Sequence, residues 1–314
     1  MSLPPKEAIF DAMDRVRPFV HRTPVLTSTL LNALGESELF FKCENFQRMG
    51  AFKMRGAINA IVQLAPEQQK RGIVTHSSGN FAQAVSLAAK SLGIKAFIVM
   101  PQSAPKVKVE AVRQYGGEVI LCESTVEARE SAASDIVIRE GACFLHPSND
   151  LPVILGQGTA AIELLEEHPE LDFILTPVGG GGLIAGTALA AHYMSNKCKV
   201  IGSEPFEADD AYRSLLSGTI ETNTTVNTIA DGLKTQLGDV NFPIIKKLVK
   251  EIIRVDEEEI IAAMRLIYER LKIVVEPSCA LPLAAVLKTK NRFSNARVGI
   301  ILSGGNVDLS NLPF

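Results

Sequence analysis

Short apolar runs of strand length alternate along this chain with stretches whose apolar residues recur at helical spacing. The runs are Leu39–Cys43, Gly72–Thr75, Ala96–Met100, Glu118–Cys122, Phe173–Pro177, Val200–Gly202 and Val298–Leu302. Each is bounded by turn residues and rich in Val, Ile or Phe, as buried strands are. Between them, Phe81–Leu92 carries small and apolar residues at helical spacing and stops at Gly93, a helix C′ residue. Gln157–Glu167 and Leu183–Met194 read the same way, and Glu257–Leu271 begins with acids and places Ile260, Ile261, Met264, Ile267, Tyr268 and Leu271 on one broad face. Strand and helix in alternation predict an α/β fold with largely parallel sheets.

A length of 314 residues predicts about two domains. The segment Gly72–His146 holds three compact strand–helix units, so we expect a small mobile domain at 69–149 inserted into a large domain built from 1–68 and 150–314. An apolar share of 46% with 21% charged residues is ordinary for a globular protein and excludes intrinsic disorder. Lys+Arg 32 against Asp+Glu 35 leaves a net charge of −3, which points neither to nucleic acid nor to an anionic membrane surface. No apolar run is long enough to span a bilayer, and the N-terminus lacks the plan of a signal peptide. The cysteines (Cys43, Cys122, Cys143, Cys198 and Cys279) form no CxxC pair, and an odd, widely spaced set suits reduced thiols. A cytoplasmic protein is expected.

Four glycine-bearing turns carry the chemistry. The first is Gly50-Ala51-Phe52-Lys53-Met54-Arg55-Gly56, at the start of a helical stretch. A lysine at a helix start opposes the macrodipole, and in such a place its pKa can fall until it serves as an amine nucleophile; a plain surface charge is the other reading. The second is Thr75-His76-Ser77-Ser78-Gly79-Asn80-Phe81, straight after a strand, where α/β proteins bind ligands. There Ser77 or Ser78 can equally be a helix cap. The third, Gly179-Gly180-Gly181-Gly182 between strand and helix, is hard to explain by packing and suits backbone N–H groups closing on a phosphate. The fourth is Ser303-Gly304-Gly305-Asn306, again after a strand. The third turn also fits a dinucleotide fingerprint, Gly180-x-Gly182-x-x-Ala185 with Glu204 about twenty residues on, so a nicotinamide-dependent dehydrogenase is the competing reading. That reading leaves the other three turns without a task.

Taken together, Phe52-Lys53-x-Arg55-Gly56, Ser77-Ser78-Gly79-Asn80, Gly179–Gly182 and Ser303-Gly304-Gly305-Asn306 resemble the fold-type II pyridoxal-phosphate enzymes, and within them the serine racemase and serine/threonine dehydratase group. The resemblance runs from His21-Arg22-Thr23-Pro24 to Asn306-Val307-Asp308-Leu309. It implies two open parallel-sheet αβα lobes of the tryptophan synthase β-like kind. It implies a lyase that turns serine or threonine into an oxo acid and ammonia, a serine racemase activity, and a homodimer. Lys53 would hold pyridoxal 5'-phosphate covalently, with Phe52 beside the ring. Gly179, Gly180, Gly181, Gly182 and Leu183 would bind its phosphate. Asn80 would meet the ring hydroxyl, Ser303 the pyridine nitrogen, and Glu276 and Asn306 would lie near the ring. Ser77, Ser78, Gly79, Asn80 and Phe81 would line the substrate site, and Arg129 matches an arginine that moves towards substrate as the small lobe closes; an ordinary helix charge is its other reading. Ser78 is serine as in racemases, where dehydratases commonly have alanine, so its hydroxyl would return a proton to Cα from the face opposite Lys53.

The resemblance also implies a structural Mg²⁺ or Ca²⁺ on Glu204, Asp210 and the carbonyl of Ala208, where the bland reading is a solvated acidic loop. The sequence departs from the family at Phe81, where histidine is usual, and at Ser148, where racemases have asparagine. These departures leave the choice among serine, threonine and 3-hydroxyaspartate open. Only five residues follow Leu309, so no isoleucine-sensing regulatory domain is expected.

Overall fold

The chain is described by a computed structural model covering residues 2–314. Ten strands form two sheets: β1 Val25–Leu26, β2 Glu38–Cys43, β3 Ile73–His76, β4 Ala96–Pro101, β5 Glu118–Cys122, β6 Cys143–Phe144, β7 Phe173–Pro177, β8 Lys199–Pro205, β9 Val249–Val255 and β10 Arg297–Leu302. The larger sheet has the order β1-β2-β10-β7-β8-β9 and the smaller β5-β4-β3-β6. Only the β1–β2 pair is antiparallel. In the larger sheet Val298 of β10 pairs with Leu39 on one side and Phe173 on the other.

The inner strands of the larger sheet are buried on both faces, which is why β7 and β10 read as apolar runs. Alternate residues go to opposite cores. Phe40, Ile174 and Ile301 pack with the Leu151–Glu167 and Gly182–Met194 helices, whereas Phe41, Leu175 and Ile300 pack with the Glu257–Leu266 and Pro277–Lys288 helices. In the smaller sheet Val74, Phe97 and Val99 pack on Ala133 and Ile136, and Ile73, Ile98 and Met100 join the first core.

Three strands had no sequence signal: two-residue β1 and β6, and β9, whose Lys250, Glu251 and Arg254 break its apolar pattern. The Leu151–Glu167 helix starts two turns before Gln157, with Pro152 in its first turn, where proline's missing N–H costs nothing. The expected helix Glu257–Leu271 is α-helical only to Leu266 and closes as a wider π turn at Ile267–Leu271, ended by Lys272 at φ 60°. Gly93 takes φ 69° just past the Asn80–Ser91 helix, as its C′ position requires. All five cysteines are free thiols; Cys43 and Cys279 are buried and the other three half-buried. Among the described residues no helix is long and apolar enough to cross a membrane.

Candidate active site

Three of the four glycine turns leave the carboxyl ends of parallel strands: Ser77–Asn80 after β3, Gly179–Gly182 after β7 and Ser303–Asn306 after β10. The first turn is stitched to the fourth. Ala51 bridges Gly304, the Phe52 amide donates to the Ser303 carbonyl at 3.0 Å, and the Gly305 amide to the Gly50 carbonyl at 2.9 Å. This brings Lys53, the first residue of the Lys53–Ile61 helix, to the strand ends.

The Lys53 amine donates to the Pro147 carbonyl at 2.8 Å and lies 5.0 Å from the Phe52 ring centre and 5.6 Å from that of Phe81. Removal from water drives its pKa down to about 8, against a weaker upward pull from Glu276. Phe81, where the family has histidine, is thus a buried apolar wall of the amine's pocket.

Asn80 ties the other turns together. Its amide Nδ2 donates to both Glu276 oxygens, at 2.9 and 3.0 Å, and its Oδ1 accepts from Asn306 Nδ2 at 2.8 Å. Asn306 also donates to the Met49 carbonyl at 2.9 Å. Burial raises the Glu276 carboxyl to about 7 despite the Asn80 bonds. Ser303 is buried at the end of β10. Neither Ser77 nor Ser78 caps the following helix: Gly79 holds the N-cap without a side-chain bond, and Ser77 Oγ accepts instead from the Gly79 amide at 3.3 Å. Ser77, Ser78, Gly79 and Asn80 are half-buried. His146 meets His76 and Phe144 edge to face, His76 and Phe144 are tilted on each other, and burial, then His76 and Lys53, push His146 down to about 4.

The glycine turn needs a correction. A Cβ on Gly179 would meet Leu233 Cα at 2.9 Å, on Gly180 Ser148 Oγ at 2.4 Å, on Gly181 Leu237 Cδ2 at 2.6 Å, and on Gly182 Gln157 Oε1 at 2.5 Å. Close packing therefore favours glycine, most firmly at Gly179, whose nearest neighbours are the backbone of Gly232 and Leu233, and Gly181 also sits at φ 79°. The case for an anion rests instead on the donors. The turn is buried, yet the amides of Gly179, Gly180 and Gly181 donate to no described residue. The first-turn amides of Gly182 and Leu183 have no intrahelical acceptor. Five enclosed N–H groups at the start of a 13-residue helix fit a phosphate. Ser148 approaches this turn, and Asn241 holds it by donating to the Gly180 and Ser148 carbonyls at 2.8 and 2.9 Å. With an amine of lowered pKa nearby, the residues present fit pyridoxal phosphate.

Glu204 is fully buried within β8, and its oxygens accept from the Ala211 and Tyr212 amides at 3.1 and 2.8 Å. It is not free to meet a ribose, which removes the dinucleotide fingerprint. Asp210 faces the same spot: Oδ1 accepts from Asn223 at 2.6 Å and Oδ2 is buried without a partner. These two carboxylates are therefore not solvated, although Phe206 and Glu207 between them are exposed. No cluster of three or more His, Cys, Asp or Glu gathers among the described residues. Arg129 stays on its own helix, half-buried, with Nε donating to the Thr125 carbonyl at 3.2 Å, and its charge is felt at His76. A feature with no sequence signal is Gln157, whose Nε2 donates at 3.2 Å to the same Pro147 carbonyl that Lys53 uses.

The sequence pattern of pyridoxal-phosphate dependent enzymes matches residues 16–304. The chain is 51% identical to a serine racemase of Arabidopsis thaliana, over 97% of this chain and 94% of that protein. It is 46% identical to a beta-hydroxyaspartate dehydratase of Paracoccus denitrificans, over 100% of both. The structure of maize serine racemase superposes with a TM-score of 0.95 at 48% identity, over 97% of this chain and 94% of that one.

Proposed function

This chain belongs to the pyridoxal-phosphate dependent enzymes of fold type II, in the serine racemase and serine/threonine dehydratase family, and from that premise we propose its reaction. It converts L-serine to pyruvate and L-threonine to 2-oxobutanoate, each with release of ammonia, and it interconverts L- and D-serine. The observation that carries this reading is Lys53: an amine of pKa about 8, set between two aromatic rings beside an enclosed turn of free amides.

Bound pyridoxal phosphate supplies an electron sink that acidifies the Cα–H of an amino acid. The Gly179–Leu183 amides would hold its phosphate, Phe52 and Asn80 would border its ring, and Ser303 would offer the ring nitrogen a neutral hydroxyl rather than a carboxylate. Lys53 Nζ, partly neutral near pH 7, takes the Cα proton on one face. Ser78 Oγ returns a proton on the other, as inversion requires. Ser77, Ser78, Gly79 and Asn80 receive the substrate carboxylate, and Arg129 swings in when the small domain, 69–149, closes on the large one. All four strands of the smaller sheet lie inside that span.

A second reading, 3-hydroxyaspartate as substrate, is favoured by the full-length similarity to the Paracoccus denitrificans dehydratase. Glu204, Asp210 and the Ala208 carbonyl hold a structural Mg²⁺ or Ca²⁺; the unpartnered buried Asp210 oxygen supports this. We read the enzyme as a cytoplasmic homodimer.

The test is one assay panel: oxo-acid release and D-isomer formation from L-serine, L-threonine and the 3-hydroxyaspartates. Turnover of L-serine with D-serine formation is expected, and Ser78→Ala abolishes the D-isomer while pyruvate release continues. No turnover of any of them overturns the proposal.

A further inference from the structure

Arg55 belongs to the Lys53 motif, yet nothing above gives it a task. Its side chain is fully buried and uses all three nitrogens. Nε and Nη2 donate to the two Glu44 oxygens at 2.7 and 2.8 Å. Nη1 and Nη2 donate to the two Glu163 oxygens, both at 2.8 Å. Lys42 completes the set, donating to Glu163 Oε2 at 2.6 Å and to the Thr23 carbonyl at 2.7 Å. Two cations and two carboxylates thus cancel inside the core.

We propose that this buried cluster of Arg55, Glu44, Glu163 and Lys42 is a positioning device for Lys53, fixing the roll of the Lys53–Ile61 helix so that the amine meets the Pro147 carbonyl. The inference rests on the reading of Lys53 as the reactive amine. Four desolvated charges stabilise a core little more than apolar side chains of the same volume. What the paired Arg fork adds is direction, because two parallel N–H···O bonds fix an orientation that packing leaves loose.

Direction is what this place lacks. The Lys53–Ile61 and Leu151–Glu167 helices touch backbone to backbone. A Cβ on Gly56 would lie 2.9 Å from the Val153 carbonyl, and one on Gly156 2.4 Å from the Arg55 carbonyl. A glycine contact sets the spacing of two helices but resists rolling weakly. Arg55 lies two residues after Lys53, roughly 200° around a helix that turns about 100° per residue, so the fork grips the face away from the amine. Its two anchors differ in origin. Glu44 follows β2, and Glu163 shares a helix with Gln157, which holds the Pro147 carbonyl. The cluster thereby ties the amine and its acceptor to one frame. Arg55 is a positioning residue and touches neither substrate nor cofactor.

The experiment uses the holoenzyme and the variants Arg55→Lys, which keeps the charge and loses the fork, and Glu163→Gln. For each, the melting temperature, kcat and KM for L-serine, and the pH midpoint of the visible absorbance of bound pyridoxal phosphate are read. A positioning role predicts that kcat falls about 10- to 100-fold in Arg55→Lys with KM little changed, and that the absorbance midpoint moves, in protein that remains folded. Where Arg55→Lys does not fold, Glu163→Gln carries the same expectation. A variant that melts lower but keeps the parent's kcat and midpoint overturns the proposal and leaves the cluster a structural filler. Lys53→Ala run beside them separates the two claims: if it keeps the absorbance, the reading of Lys53 itself fails.

Discussion

Two lysines eleven residues apart in sequence are both taken from water, and they end as different chemical objects. Lys42, the penultimate residue of β2, is fully buried and meets Glu163 and the Thr23 carbonyl. Lys53 has one neutral acceptor, the Pro147 carbonyl, and two aromatic rings. Burial lowers both pKa values. For Lys42 the carboxylates of Glu163 and Glu44 push back, whereas for Lys53 only Glu276 does, and it settles at about 8. The contrast teaches that burial alone does not make a reactive amine. Partners decide whether a buried lysine is a permanent cation or a base that works near neutrality.

The contrast can be broken most severely at Lys53. Lys53→Ala loses the visible absorbance of bound pyridoxal phosphate and, with its proton-transfer group gone, slows oxo-acid release by at least about 100-fold, while melting stays close to the parent's. Lys42→Ala should do the reverse. It removes one of the two donors to Glu163 Oε2, leaves two buried carboxylates facing the single cation Arg55, and costs about 3–5 kcal/mol in urea unfolding, yet protein that folds keeps the absorbance. Next comes His146, a half-buried base whose Nδ1 accepts from the Ser148 and Asn149 amides at 3.2 and 2.9 Å. Its folded pKa of about 4 lies below the 6.5 of a free histidine, so the unfolded chain binds the proton first. Its share of stability, about 1–3 kcal/mol, is intact above pH 6.5 and is lost as pH falls towards 4; unfolding of His146→Gln should lack that slope. The smallest effect is Glu276→Gln. Without the carboxylate's pull the Lys53 amine titrates lower, by less than about one pH unit, seen as an earlier onset of cofactor capture by the apoprotein as pH rises.

The seven apolar runs found in the sequence are all strands; burial explains the pattern in most of them, whereas β5 is an edge strand with Leu121 exposed. Glu251 and Arg254 hid β9, and only the fold explains them: Arg254 reaches Asp209 at 2.8 Å and Glu251 reaches Arg292 at 2.6 Å. At the site, the order of the four turns pointed to the family, since each turn is a local motif. The partners of those motifs were not legible. Glu163 lies 108 residues from Arg55, and Glu276 lies 196 residues from Asn80. Lys42 passed within an apolar run, and its two partners, Glu163 and the Thr23 carbonyl, come from other segments. The glycine turn was read correctly as special and for an incomplete reason, since the close approach of Ser148, Gln157 and the 232–241 segment is invisible from residues 179–182 alone.

The position of β10 has a consequence for how the protein is born. The smaller sheet is complete once Phe144 has left the ribosome, so its core can close while synthesis continues. The larger sheet cannot follow suit. Its central strand, between β2 and β7, is the last of the described strands to be made, and β2 waits through some 250 residues of translation for its neighbour. Until β10 is made, the edges of β2 and β7 that it fills have no partner there, and the Ser303 carbonyl that accepts from the Phe52 amide beside Lys53 does not yet exist.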